Sequence, residues 1–443
     1  MFSKETYMAR RAKLKQTIGS GLLLFLGNDE SGMNYADNTY HFRQDSTFLY
    51  FFGLPYAGLS AIIDIDNDKE IIFGDELTID AIVWMGTQPT LKEKSEAAGI
   101  KEVRPFKEIE TYLKNAQQKG QPIHYLPTYR AEHQIKLFQW LGIVPGAEKP
   151  SVPFIMGVVN QRNYKSEEEI AEIEKACIVT ADMHLTAMRT VRPAAAVAEV
   201  AFANNYQLSF PIIATINGQT LHNHDHSHMI KSGDMLLLDA GAETEMGYAG
   251  DMSSTIPADS KFTTRQVAAH EAAVAALRPG IPFVDVYELS CKVIMEGLKD
   301  LGFVKGDPME AVKAGAHAMF MPCGLGHMMG LDVHDMENLG EVYVGYDGQP
   351  KSTEFGRKSL RLGRKLEPGF VLTIEPGVYF IPELMDLWRG QNKFTEFINY
   401  EKLFTYKDFS GIRNEEDYLI TENGARLLGK KIPLRTEEVE AIR

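Results

Sequence analysis

At 443 residues the chain exceeds the length at which a single core usually keeps growing, so two domains are expected. With 44% hydrophobic and 24% charged residues it has ordinary globular composition, and its formal charge of −14 leaves no surplus of Lys and Arg for a phosphate backbone, which argues against nucleic acid as a partner. The longest apolar run near the start, Leu22 to Leu26, is too short to cross a bilayer or to form a signal-sequence core. Cys177, Cys291 and Cys323 are too few and too irregularly spaced for a disulfide framework or a thiolate zinc site. The expectation is a cytoplasmic protein with reduced thiols and no membrane partner.

Over roughly the first 150 residues, strand-like runs such as "AIIDID" (61–66) and "EIIFG" (70–74) alternate with helical ones such as "AEHQIKLFQWLG" (131–142), an α/β pattern. The stretch "PGAEKPSVPFIMGVVNQRNYKS" (145–166) is rich in turn formers and breaks that periodicity, so the domain boundary is placed within it, giving domains 1–160 and 161–443. From Ser166, "SEEEIAEIEKACIVTADMHLTAMRTV" predicts a long helix: Ser166 and Glu169 form a capping box, and Ile170, Ile173, Ala176, Cys177, Thr180, Met183 and Met188 share a face. Further helices are expected at "TTRQVAAHEAAVAAL" (263–277) and "VDVYELSCKVIMEGLKDLG" (284–302), with strands at "DMLLLDAGAE" (234–243), "GFVLTIEPGVYF" (369–380) and "DYLITENG" (417–424). Helices mixed with hairpins in this way suggest an α+β second half.

Acidic residues sit oddly in those strands. "MLLLDAGAETEMGYAGDM" (235–252) ends an apolar run in Asp239 and places Asp251 after a Gly-rich turn; on neighbouring strands of a hairpin the two could aim at one point. Asp near turns commonly bonds the local backbone, so the pair alone is weak. "MPCGLGHMMGLDVHD" (321–335) sets His327 among Gly324, Gly326 and Gly330, with His334 seven residues on. In "LTIEPGVYF" an apolar strand ends at Glu375 and is halted by Pro376 and Gly377, and in "GIRNEEDYLIT" Glu415 leads into the last strand-like run.

In these settings, and in this order, Asp239, Asp251, His327, Glu375 and Glu415 resemble the pita-bread metallopeptidases, the family of methionine aminopeptidase, aminopeptidase P and prolidase. The likeness runs over the whole chain: "FRQDSTFLYFFG" (42–53) is similar to the N-terminal domain that aminopeptidase P and prolidase share. The fold implied is an α+β, pita-bread catalytic domain behind a smaller α/β domain. The resemblance further implies that the five residues hold two divalent ions, usually manganese and sometimes cobalt or zinc; all-oxygen ligation with one imidazole suits Mn²⁺. Four carboxylates converging without cations would repel and take up protons.

By the same resemblance Glu375 also carries a proton between the attacking water and the departing nitrogen, His222 in "TLHNHDHSHM" and His334 contact substrate and steady the developing oxyanion, and Arg413 stands just behind the ligands. His224, His226 and His228 are read as a polar turn without a role. Three departures stand out: one extra residue in the hairpin, expected at "ETEMG" (243–247); Cys323 where the family carries a substrate-contacting His; and a short segment before "LHNH". The stretch "YFIPELMDLWRGQNKFTEFINYEKL" and Arg361, placed to pair with a dipeptide's terminal carboxylate, favour Xaa-Pro dipeptidase, with Xaa-Pro aminopeptidase acting on longer peptides as the alternative. A proline-containing peptide substrate and a homodimer are implied. A binding module without metal and a creatinase-like hydrolase share the fold, but neither keeps this ligand set.

Overall fold

Alternation in the first half does produce a sheet. The computed structural model describes residues 1–190, 193–258 and 267–442. They form two compact units, Met1–Arg162 with Met336–Tyr343, and Asn163–Asp335 with Val344–Arg443. In the first unit, β1 (Leu22–Leu26), β2 (Ser60–Asp64), β3 (Lys69–Phe73), β4 (Glu102–Arg104) and β5 (Ile123–His124) pair in the order β4-β3-β2-β1-β5. The inner pairs are antiparallel and the outer two parallel. One face buries Leu22, Leu24, Ile62, Ile71 and Phe73 against Leu113 and Ala116 of the helix Ile109–Gln118 and against Leu137 and Trp140 of the helix Ala131–Leu141.

The turn-rich reading of 145–166 needs correcting, because Val152–Arg162 is a helix. Pro153 is tolerated in a first helical turn, where its missing N–H would have had no partner. Phe154, Ile155, Val158 and Val159 are buried, and the Phe154 ring meets Phe25 edge-on at 5.1 Å. Tertiary burial, invisible to local turn statistics, overrides the Gly and Pro signals.

The second unit opens with the helix Glu167–Thr190, capped as expected: Ser166 N–H donates to Glu169 Oε2 at 3.0 Å and Glu169 N–H donates to Ser166 Oγ at 3.3 Å. Every residue named for its inner face is buried; Val191, the last of the quoted run, lies outside the described residues. Then come β6 (Gln207–Leu208), β7 (Ile213–Thr215), β8 (Met235–Ala240), β9 (Ala242–Glu243) and β10 (Met252–Pro257), of which β10-β8-β7 make one sheet and β6-β9 another. Helices follow at Val267–Ala276 and Phe283–Asp300; Thr263–Gln266 of the first expected run lie outside the described residues. The remaining strands are β11 (Val371–Ile374), β12 (Gly377–Tyr379), β13 (Gly411–Arg413), β14 (Glu416–Thr421) and β15 (Gly424–Leu427), after which comes a last helix, Thr436–Glu440.

Two strand expectations change. β11 does stop before Pro376, at Ile374, but the halt is not final: β11 pairs with β14, and a new strand, β12, starts at Gly377 and pairs with β13. Proline cannot donate to a ladder, so the chain exchanges partners there, and the Glu375 N–H turns to Leu325 O at 2.7 Å. The run from Asp417 is also not the last strand, since Glu422 and Asn423 turn it into the β14–β15 hairpin. No helix among the described residues is long and apolar enough to cross a membrane.

Candidate metal centre

Strand alternation decides where the acidic side chains go. Along β8, Leu236, Leu238 and Ala240 join the cluster made with Val179, Met183 and Ala187 of the long helix, so Asp239 faces the other way. Asp239 stands opposite Ser253 of β10. Asp251 precedes the first residue of β10 rather than lying on it, but two positions before Ser253 it falls on the same face. The hairpin turns where expected, with Gly247 N–H on Thr244 O at 2.8 Å and φ of 86° at Gly247.

Register then carries the alignment across the joined sheets. Ser253 bridges Glu415, Glu416 pairs with Ile374 in antiparallel sense, and Met328 bridges Leu372. One step along that ladder sets Glu375 across from Glu415. Thr373 N–H donates to His327 O at 3.0 Å, which fixes the histidine's backbone beside the same strand.

At the convergence, His327 Nε2 lies 3.4 Å from Asp251 Oδ2 and 3.9 Å from both Glu375 Oε1 and Glu415 Oε1. His327 Nδ1 is 3.1 Å from the Met328 carbonyl, which can only accept, so Nδ1 carries a hydrogen and Nε2 is the ring nitrogen turned toward the carboxylates. Asp251, His327 and Glu415 offer ligand atoms all within 4.8 Å of one another. Asp239, Asp251, His327, Glu375 and Glu415 line a single cavity of about 350 Å³.

Electrostatics mark the site as incomplete without a cation. Burial, and after it the Asp239, Asp417 and Glu375 charges, push the Asp251 carboxyl well above the ordinary carboxylate range. Glu415 is raised likewise by burial, then by Asp251 and Glu375. Asp239 Oδ1, Asp251 Oδ1 and Glu415 Oε1 are buried oxygens with no hydrogen-bond donor among the described residues. Buried polar atoms are normally satisfied, and an oxygen-rich set with one imidazole fits hard divalent cations.

Arg413 is the one buried cation behind this group that the sequence placed. Its Nη2 donates to Asp239 Oδ2 at 2.5 Å, Nε to Ser253 Oγ at 2.9 Å and Nη1 to the Tyr379 hydroxyl at 3.1 Å. Ser253 Oγ in turn donates to Glu415 Oε2 at 2.9 Å. Burial opposes the Arg413 charge, but Tyr379 and then the Asp239, Glu415 and Glu375 carboxylates outweigh it and hold its pKa above the usual value.

His222, His334, Arg361 and Cys323 line the same cavity. The His334 ring lies 4.2 Å from that of His327. Burial and the nearby Glu375 carboxylate push the Cys323 thiol up to about 12, so it is a neutral group at ordinary pH. His224, read as part of a turn, also reaches the cavity wall. Ser253, Tyr379 and Asp417 went unnoticed in the sequence, as did the apolar wall of Phe210, Pro211 and Ile213. Asp417 accepts from the Asp251 N–H and from Cys177 Sγ, both at 3.1 Å. The missed signal was a period of two: Ser253 follows Asp251, and Asp417 follows Glu415, at that spacing.

Comparison with known proteins agrees with this geometry. The model of "Metallopeptidase family M24" matches residues 171–422, more than half the chain, and "Aminopeptidase P, N-terminal domain" matches residues 7–124. The Xaa-Pro dipeptidase of Homo sapiens is 29% identical, the alignment covering 98% of this chain and 91% of that protein. The Xaa-Pro aminopeptidase of Escherichia coli is 30% identical, over 99% and 98%. Among solved structures, proline aminopeptidase P II from Yersinia pestis superposes with a TM-score of 0.81 at 26% identity, covering 100% of this chain and 99% of that one. With a pita-bread catalytic domain behind an aminopeptidase P N-terminal domain, the chain belongs to metallopeptidase family M24.

Proposed function

We propose that the protein hydrolyses the Xaa-Pro bond of dipeptides, with residues 161–443 as the catalytic domain and 1–160 as the accessory one. The observation that carries this reading is the meeting of Asp251, His327, Glu375 and Glu415 around one point, with orphaned oxygens turned into a peptide-sized cavity. Asp239, Asp251, His327, Glu375 and Glu415 hold a pair of divalent cations, with Mn²⁺ first and Co²⁺ or Zn²⁺ as substitutes. When bound, such a pair acidifies a water and polarises the peptide carbonyl.

The chain's own groups do the rest. Glu375 accepts the proton of the attacking water and passes it to the proline nitrogen as the bond breaks. His222 and His334 donate to the carbonyl oxygen as its charge grows. Arg361 pairs with the substrate's terminal carboxylate, and Cys323 leaves a small, uncharged wall where relatives have an imidazole. Arg413 holds the Asp239 carboxylate in place through its Nη2. The protein is placed in the cytoplasm and acts as a homodimer; the homodimer is supported by the helix Ile79–Met85, which leaves Ile79, Val83, Trp84 and Met85 exposed.

Relatives bearing both activities resemble the chain about equally, so the second reading is an Xaa-Pro aminopeptidase for longer peptides. With Mn²⁺, turnover of Ala-Pro is expected, and Arg361→Ala should raise KM for it by about 10- to 100-fold while sparing Ala-Pro-Ala. Cleavage of tripeptides with no dipeptide turnover would decide for the aminopeptidase. A folded protein that takes up no divalent ion would sink both.

A further inference from the structure

Lys165 is an improbable place for a buried cation. It lies one residue before the cap of the long helix and far in sequence from any ligand, yet its side chain is 1% exposed and its Nζ meets Asp335 Oδ2, also 1% exposed, at 2.9 Å. Two charges withdrawn from water together are costly to keep, and well-packed apolar residues would often serve stability as well. A different reason for the pair is therefore needed.

Asp335 follows His334. Its Oδ1 accepts the Asp332 N–H at 3.3 Å and its own N–H donates to Met328 O at 2.9 Å, so this carboxylate closes the loop that displays His334. The other end of the strut is fixed as well, because the Lys165 N–H donates to Gly369 O at 2.9 Å just ahead of β11. Gly330, conspicuous in the sequence, provides the room: a Cβ there would stand 2.8 Å from Asp335 Oδ2 and 3.0 Å from Lys165 Cε. The line thus runs from the strand that leads into Glu375, through Lys165 and Asp335, to the imidazole lying 4.2 Å from that of His327.

We infer that the Lys165–Asp335 pair is a positioning device that sets the His334 imidazole against the substrate carbonyl. This rests on the reading of His334 as a substrate contact. Lys165 touches neither substrate nor cation; it acts through Asp335 and the loop.

The test uses full-length protein carrying K165M, K165R or the charge-free pair K165M/D335N, each with and without H334A. Ala-Pro kinetics, Mn²⁺ affinity by calorimetry and a crystal structure of the double variant are measured. Loss of about 10- to 100-fold in kcat/KM, mostly in kcat, is expected for K165M and for K165M/D335N, with Mn²⁺ affinity unchanged and most activity restored in K165R. In the H334A background the same changes should cost no more than about twofold. Losses that multiply with that of H334A, or that track lost Mn²⁺ binding, overturn the inference. If wild-type protein cleaves neither di- nor tripeptides, the functional reading has failed, and the crystal structure alone then judges the strut: an imidazole displaced by about 1 Å or more supports it, and an unmoved one overturns it.

Discussion

Asp251 and Glu415 bear the cost of the centre when no cation is present. Their folded pKa values lie above the unfolded values of about 4, so the stability tied to them is full below that pH and is lost as pH rises through the folded values. Asp417, pushed up to about 7 by burial, adds with the same sign. His184, His270 and His317, each lowered to about 4 by burial, act oppositely, but only below the ordinary histidine range of about 6.5. Chelator-treated protein should therefore melt at lower temperature as pH rises past the histidine range, and Mn²⁺ should raise the melting temperature and flatten the slope. A melting temperature indifferent to both pH and Mn²⁺ would contradict the proposed centre. Arg413→Met, by leaving Asp239 buried without its partner, should cost about 3–5 kcal/mol in urea unfolding of the metal-free protein.

Elements explain how side chains so far apart in sequence reach one place. Gly326 sits where a Cβ would come within 2.0 Å of Thr373 O, the strand that holds His327. Gly326→Ala should thus force the two backbones apart, destabilise the protein by roughly 1–3 kcal/mol and weaken Mn²⁺ binding, both measurable on one sample; an unaltered affinity would mean that the strand yields elsewhere. The same scale shows what the sequence could convey. Ser166 and Glu169 announce a helix start within four residues, and the apolar run of β8 points Asp239 away from the helix cluster by alternation alone. The exchange of partners at Pro376 could not be read this way, because it depends on which distant strands flank it. The helix Val152–Arg162 was hidden for a similar reason: its support comes from Phe25 and other residues more than a hundred positions earlier.

For the whole molecule, two family models in tandem account for the two compact units, and the residues of the proposed metal centre all belong to the second. The first unit offers a handle on assembly. Val83 and Trp84 are 73% and 86% exposed and adjoin exposed Ile79 and Met85 on the same short helix, and clustered apolar exposure marks an association surface. Trp84→Glu should convert the proposed dimer to a monomer in sedimentation; a monomeric wild type, or an unaffected dimer, would remove that helix from the interface.

The ladder that brings Asp239, Ser253, Glu415 and Glu375 into line has a temporal side. Beyond the local Asp239–Ser253 hairpin, its rungs Ser253–Glu415 and Ile374–Glu416 join segments distant in sequence, so the cradle exists only once the second unit has closed. Cations captured there cannot hasten that closure; like a rivet driven after the plates are aligned, they resist its reversal. Loading should accordingly lengthen the lifetime of the native state against unfolding and proteolysis while leaving the refolding rate nearly as it was.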